Sequence, residues 1–419
     1  MSTTLLERPV QRRNDYSWDF RGEKTKSYTH CLHGYPAMFI PQVARRLILT
    51  YSRQGETICD IFCGSGTALV ESRLSGRNSY GIELNPLAIL IAKAKTTPLN
   101  YLLLQKVYLA LLNSIHAVKL TNNDIPKFPN IDFWFKKQAI NELAKIKKCI
   151  NKIDEAKIRN FFLVAFSETV RCTSNVRKGE FKLFRIPENE LNDYCPNTQA
   201  IFRSKCERNI VGMTEFSESI DHKTWVKILH ADSTKKYDVE NDSVDCIITS
   251  PPYGDSKTTV AYGQFSRLSL QWLDISFRDG ANVDKHLMGG LVNPETENEL
   301  ESKTLSDALT IIEKADYKRA REVLAFYVDL NKAIMQAHRI LKKGGCFCVV
   351  IGNRTVKKIK LQTDYIIPEL TNNLGFKTED IFVRNIPNKH MPLRNSPTNV
   401  SGQLEETMQK ESIVILRKT

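Results

Sequence analysis

Residues 56–86 read ETICDIFCGSGTALVESRLSGRNSYGIELNP. Ile58 to Phe62 is a short, mostly apolar run that ends at glycines, the pattern of a buried strand. Gly64-Ser65-Gly66 predicts a tight turn, Thr67 to Leu74 a helix that Gly76 ends, and Ser79 to Leu84 a second strand. Strand, crossover helix and strand make a βαβ unit. The dinucleotide fingerprint is absent, because its third glycine is missing at the required spacing, and no Gly-Lys-Ser/Thr follows to make a phosphate loop. What remains is Asp60 in the first strand, two glycines that let the backbone approach a ligand, and Glu83 ending the second strand. A carboxylate at that place can accept from both hydroxyls of a ribose, so the unit predicts a nucleoside-type cofactor. The alternative is an ordinary strand-helix turn with a surface glutamate.

Working outward, residues 1–27 are polar and read as an N-terminal arm. Residues 28–97 form the cofactor half of a sheet domain, and PQVARRLILTYS (41–52) sets Val43, Leu47, Ile48 and Tyr51 at helical spacing. Residues 98–225 change character. They are rich in Lys, Leu, Ile and Phe, with helical periodicity at 133–151 and 156–172, and read as a mostly helical insertion. Residues 226–255 return to strands, at 228–232 and 244–249. There IITSPPYGDS (247–256) ends an apolar run with two prolines, which cannot donate ladder hydrogen bonds, so the strand stops. Taken alone, the pair is a rigid turn.

Residues 256–322 are polar and contain glycine, a second, loop-rich insertion. Residues 323–419 complete the sheet domain. A helix at 325–342 stops at Gly344-Gly345, CFCVVIGN (346–353) is a buried strand, 363–374 a helix, and 376–384 and 412–418 are strands. Strands alternating with helices predict a doubly wound α/β fold.

The chain has 419 residues, 42% of them hydrophobic, enough for a large core. Lys and Arg number 60 against 47 Asp and Glu, a net +13, which suits a polyanion such as nucleic acid or simply a basic surface. No apolar run approaches the ~20 residues that span a bilayer, and the N-terminus lacks a signal-peptide core, so no membrane partner and a cytoplasmic location are expected. None of the ten cysteines forms a C-x-x-C pair, and His30-Cys31-Leu32-His33 has no second ligand pair at matching spacing. Reduced thiols and no metal are expected, with Cys346 and Cys348 on one strand face.

DIFCGSGT (60–67), GIELNP (81–86), HADS (230–233) and TSPPY (249–253), in that order, resemble the amino-methyltransferases that modify exocyclic nitrogens of DNA bases. THCLHGYPAMFIPQVARRLI (29–48) resembles their additional cofactor motif, and IPNKHMPLRNSPTN (386–399) a subgroup of them. The resemblance implies a class I methyltransferase fold, Rossmann-like with a seven-stranded, mostly parallel sheet, and S-adenosyl-L-methionine as cofactor. It implies that Asp60, Phe62, Gly64 and Gly66 line the methionine side, that Glu83 holds the ribose and that Leu84 packs on the adenine. Asp232 would accept from the adenine amino group, and Tyr35, Pro36 and Ala37 would close the methionine end. A catalytic site at Ser250, Pro251, Pro252 and Tyr253 is implied in the same way.

The resemblance gives the prolines a purpose. A base amino group is a poor nucleophile, because its lone pair is delocalised into the ring. Ser250 Oγ and the Pro251 carbonyl, held rigid by Pro252, can pull on its N–H bonds, and Tyr253 can stack on a flipped base. Serine at the first position resembles the cytosine-N4 branch, whereas Asp or Asn is typical of adenine-N6 enzymes. A cytosine-C5 enzyme is disfavoured, since the chain has no Pro-Cys dipeptide. The implied partner is double-stranded DNA, and the implied role is the modification enzyme of a restriction-modification system, with a cognate restriction endonuclease as counterpart. An adenine-N6 enzyme, an RNA guanine-N2 methyltransferase and a catalytically silent DNA-binding relative are the alternatives. Two segments could read the target: one with Arg171, Arg177, Lys178, Lys182 and Arg185 interleaved with Phe181 and Phe184, the other with Lys257, Thr258, Tyr262 and Arg267 just after the catalytic motif. The first could equally be a solvated basic face, the second a structural cap.

Overall fold

The computed structural model describes residues 10–254, 260–275, 288–289, 300–386, 394–395, 405–406 and 408–419. Among these, eight strands share one sheet: Arg12–Asn14 (β1), Thr57–Asp60 (β2), Asn78–Glu83 (β3), Val226–His230 (β4), Val244–Thr249 (β5), Leu341–Ile351 (β6), Phe376–Asn385 (β7) and Lys410–Lys418 (β8). Their order is β1-β7-β8-β6-β5-β2-β3-β4. All neighbours pair in parallel except β8, which runs antiparallel to both β6 and β7.

Strand faces alternate as the period of two demands. Ile58, Cys246, Ile248, Cys346 and Cys348 face one apolar layer with Val43, Leu47 and Ile48 of helix Pro41–Tyr51 (α1). Cys59, Ile247, Phe347 and Val349 face the other layer, under helices at 303–315, 317–340 and 363–372. Helices cover both faces, the doubly wound architecture expected.

The eighth strand is a correction to the seven expected. It comes from the polar N-terminal segment, where Arg12, Arg13 and Asn14 pair with Ile381, Phe382 and Val383. The Arg12 guanidinium grips buried Asp364 with two bonds, of 2.7 and 2.6 Å. An edge strand needs no apolar alternation, so nothing in QRRND announced it. Element boundaries also move, and the helix before β6 moves most. The helix expected over 325–342 runs Tyr317–Ile340, starting where the Asp316 side chain accepts from the Arg319 amide at 3.0 Å. Gly344 and Gly345 lie inside β6 rather than stopping that helix.

Residues 98–225 carry helices Tyr101–Ala117, Lys137–Ile150, Ala156–Thr173 and Thr198–Ser219. Their buried Leu, Ile and Phe side chains form one cluster with Leu87, Ile91 and Ala94 of helix Pro86–Thr96 (α2) and with Phe265, Leu268 and Trp272 of helix Tyr262–Trp272 (α3). The helical layer is therefore continuous with the sheet domain, through α2 beside β3 and β4. No helix of the described residues is long and apolar enough to cross a membrane.

Candidate active site

The order β4-β3-β2 on one side and β5-β6 on the other makes the β2/β5 boundary a switch point, where a crevice opens at the carboxyl ends of parallel strands. The carboxyl ends here deliver Asp60, Glu83, Asp232 and Ser250. A cleft of about 950 Å³, counting its open mouth, lies there. Tyr35, Pro36, Ala37, Asp60, Phe62, Gly64, Glu83, Leu84, Asp232, Ser250 and Pro252 all line it.

Gly66, Pro251 and Tyr253 are not in the lining. Gly66 sits at φ +82, where a Cβ would come within 2.9 Å of the Ala92 Cβ, so its glycine serves the packing of the turn onto α2. Gly64 does line the cleft, also at positive φ, opposite the Tyr35 ring. Sequence reasoning missed Met38, Phe39, Asn85, Ser233 and Thr234 in the lining. Asn85 had a signal, since Asn before Pro86 is a helix N-cap. Its Oδ1 accepts from the Leu87 amide at 3.0 Å, while its Nδ2 donates to Tyr35 Oη at 3.0 Å and Ser266 Oγ at 2.8 Å. Tyr35 also stacks on Tyr262 at 5.9 Å, so helix α3 forms a wall of the cleft.

The carboxylates differ in their partners. Asp60 accepts from the Thr249 hydroxyl at 2.6 Å and the Phe62 amide at 3.0 Å, yet burial pushes its carboxyl up to about 7. Glu83 accepts from three backbone amides: Gly64 at 2.8 Å, Leu84 at 2.9 Å and Asn85 at 2.7 Å. Burial outweighs those bonds, so its carboxyl too titrates above its ordinary value. Half-buried Asp232 stands below its ordinary value, because the Thr234 hydroxyl and amide and Lys235 together outweigh the desolvation that would raise it.

Beneath the glycine turn, fully buried Lys95 donates to Ser65 Oγ at 3.3 Å, and burial brings its ammonium down to about 8. The two histidines near Cys31 are tied locally, His30 Nε2 to Glu71 at 2.7 Å and His33 Nδ1 to the Gly34 carbonyl at 2.6 Å.

Across the cleft, Ser250 Oγ lies 3.4 Å from Tyr253 Oη, which donates to Glu411 Oε1 at 2.9 Å. The residue set fits a nucleoside bearing a cationic chain. The carboxylates Asp60, Glu83 and Asp232 share the lining with Ile82 and Leu84, which offer an apolar wall, and with the glycine turn at Gly64.

The two basic segments lie side by side. Val176 and Arg185 form a bridge, closing a turn that docks on α3. Arg171 fixes the dock, donating to the carbonyls of Phe265 at 2.7 Å and Glu180 at 3.2 Å with its guanidinium over the Phe265 ring. Burial lowers Arg171 to about 10, still cationic at neutral pH; it is its two bonds to backbone carbonyls that make it a staple. Arg177 and Lys178 are exposed, Lys182 is half-buried, and Arg185 pairs with Glu188 at 2.7 Å over the Phe133 ring. Arg267 is half-buried, its Nε without a hydrogen-bond partner among the described residues. Lys257 and Thr258 lie outside the described residues, as does nearly all of 386–399.

Comparison with known proteins finds a match to the N6_N4_Mtase family model, described as DNA methylase, over residues 7–94 and 244–419. The stretch between those spans holds the helical layer. Type II methyltransferase M.MvaI of Kocuria varians is 41% identical over 436 residues, covering 98% of this chain and 96% of that one. Type II methyltransferase M.MjaII of Methanocaldococcus jannaschii is 36% identical over 100 residues, 24% of this chain and 19% of that one. Among solved structures, a TehB-like SAM-dependent methyltransferase of Corynebacterium glutamicum overlaps at 12% identity, over 90% of this chain and 87% of that one, with a TM-score of 0.31.

Proposed function

This chain belongs to the DNA methylase family, and from that premise we propose that it methylates the exocyclic N4 of a cytosine in duplex DNA, with S-adenosyl-L-methionine as donor. The observation that carries the reading is the sharing of one cleft by the three carboxylates Asp60, Glu83 and Asp232 and by Ser250 and Pro252 across the switch point. When bound, the cofactor supplies an electrophilic methyl on a positive sulfur. The chain's own residues do the rest. Glu83 holds the ribose, Asp232 the adenine amino group, and Asp60 balances positive charge at the methionine end. Ser250 Oγ and the Pro251 carbonyl draw on the amino protons of the base, and the Tyr253 ring stacks on it. Serine rather than Asp or Asn at position 250 supports cytosine over adenine.

The relatives named Type II methyltransferases support a role in modification beside a restriction endonuclease, and a cytoplasmic location is proposed with that role. The test is to methylate unmodified DNA, digest it to nucleosides and identify the product. N4-methylcytosine is expected, and N6-methyladenine alone would overturn the cytosine reading.

A pH prediction follows from Asp60. Its carboxyl is raised to about 7 by burial, so without ligand it is largely neutral below that value. Because the folded value lies above the unfolded one, Asp60 lowers stability as pH rises from the ordinary carboxylate range through about 7. A cationic cofactor favours the ionised form. Affinity for S-adenosyl-L-methionine is therefore expected to rise by up to about tenfold per pH unit below that value and to level off above it. Calorimetric titration across that range checks this. An unchanged pH dependence in Asp60→Asn would assign it to another group.

A second prediction concerns the basic turn docked on α3. Replacing Arg177, Lys178 and Lys182 together is expected to flatten the salt dependence of DNA binding by about two to three units of slope. The same slope in variant and parent would move the phosphate contacts elsewhere.

A further inference from the structure

Serine poses a chemical problem at the centre of the proposed reaction. As the methyl arrives, the amino nitrogen uses its lone pair to make the new N–C bond, and one N–H proton must leave. A protonated serine hydroxyl is a strong acid and cannot keep that proton. The structure supplies a path outward. The Ser250 hydroxyl points to Tyr253 Oη at 3.4 Å, and Tyr253 donates to Glu411 Oε1 at 2.9 Å. Both hydroxyls donate in the direction of Glu411, while Ser250 itself lines the cleft.

Three strands build this path. Ser250 and Tyr253 follow β5, Glu411 lies on β8, and its partner Arg384 stands opposite on β7. Arg384 is 1% exposed and holds Glu411 Oε2 at 2.7 Å. It is itself anchored to the Trp18 carbonyl at 2.8 Å and the Asp19 carbonyl at 3.4 Å. Gly352, just after β6, makes room for the phenol, since a Cβ there would come within 2.8 Å of Tyr253 Cδ2. Burial keeps the phenol protonated, able to pass a proton on without holding a charge.

We propose that Ser250, Tyr253 and Glu411 form a proton relay, with Glu411 the acceptor that takes the proton lost by the methylated amino group. The proton on nitrogen passes to Ser250 Oγ, the serine proton to Tyr253 Oη, and the tyrosine proton to Glu411 Oε1. The base ends neutral and methylated, both hydroxyls end as they began, and Glu411 ends as the carboxylic acid, to be emptied to solvent. This rests on the proposed methylation of an exocyclic amine, but not on which base carries it.

The test uses the full chain, unmodified DNA and labelled cofactor in single turnovers, counting methyl on any base. Tyr253→Phe keeps the ring and the Arg384–Glu411 pair but cuts the path. Glu411→Gln keeps the shape but removes the acceptor. Each is expected to slow transfer by about tenfold or more, with the double variant no slower than either and the solvent isotope effect changed. DNA affinity without cofactor should stay at the parent value in Tyr253→Phe and fall in Tyr253→Ala, which removes the ring. Tyr253→Phe at the parent rate would overturn the relay and leave the tyrosine as a stacking residue only. N6-methyladenine as product, with both variants slow, would overturn the cytosine reading and keep the relay. N4-methylcytosine with Tyr253→Phe at full rate would do the reverse.

Discussion

Ser250→Ala is expected to slow methyl transfer about a hundredfold, on the order of 3 kcal/mol of transition-state stabilisation, while cofactor affinity stays near normal. The serine follows β5, and two prolines fix the backbone behind it, so its oxygen is placed before substrate arrives. Its interaction with the amino group is weak in the ground state, where the nitrogen is planar, and strong as the nitrogen becomes tetrahedral and positive. A group that acts in this way lowers kcat without raising the dissociation constant of either ligand. Single-turnover rates beside calorimetric cofactor binding make the measurement. Full turnover in Ser250→Ala would reduce the Pro-Pro segment to a turn and send the search for the catalytic site elsewhere. Ser250→Asp sharpens the base assignment, since a stronger acceptor suits adenine and should cost cytosine activity.

Glu83→Ala is expected to weaken S-adenosyl-L-methionine binding by roughly 1–3 kcal/mol through lost charge-assisted ribose bonds. A second effect comes from the structure. The carboxylate gathers the amides of Gly64, Leu84 and Asn85, tying the glycine turn to the end of β3. Removing it leaves those donors without their acceptor and loosens the turn, so the melting temperature should fall as well. A carboxylate has about four acceptor sites, so three amides still leave capacity for a ribose hydroxyl. Calorimetry on the folded variant decides the matter, and an unchanged dissociation constant would remove Glu83 from the cofactor site.

The parts of the fold set by strong local rules were legible in the chain. The strand-glycine-strand unit at 56–86 appears as β2 and β3 with the turn between them, because buried parallel strands need apolar runs and the turn needs positive φ at Gly64 and Gly66. Nine of the ten cofactor residues named from the motifs line one cleft for the same reason, each sitting at or near a strand's carboxyl end or on the segment facing it. Gly66 shows the limit, since a glycine needed for close packing on Ala92 looks identical in sequence to one that approaches a ligand. Long-range partners were not legible. Glu411 lies 158 positions from Tyr253, and only the pairing of β8 with β7 and β6 brings it to the site. Likewise, the docking of the 176–185 turn on α3 depends on Arg171 reaching backbone carbonyls, a contact with no spacing rule behind it.

The short first strand bears on how the protein can be handled. A fusion joined ahead of residue 10 leaves the Arg12–Asp364 grip and the β1 pairing in place. Trimming the chain to residue 28 would strip β1 from the sheet and bare one side of the ten-residue strand β7, an open template for other chains. The same cut would remove the two carbonyls that anchor Arg384, leaving a buried cation to find new acceptors. Such a truncation is expected to reach the laboratory first as turbidity during purification, before any assay of its chemistry could be run.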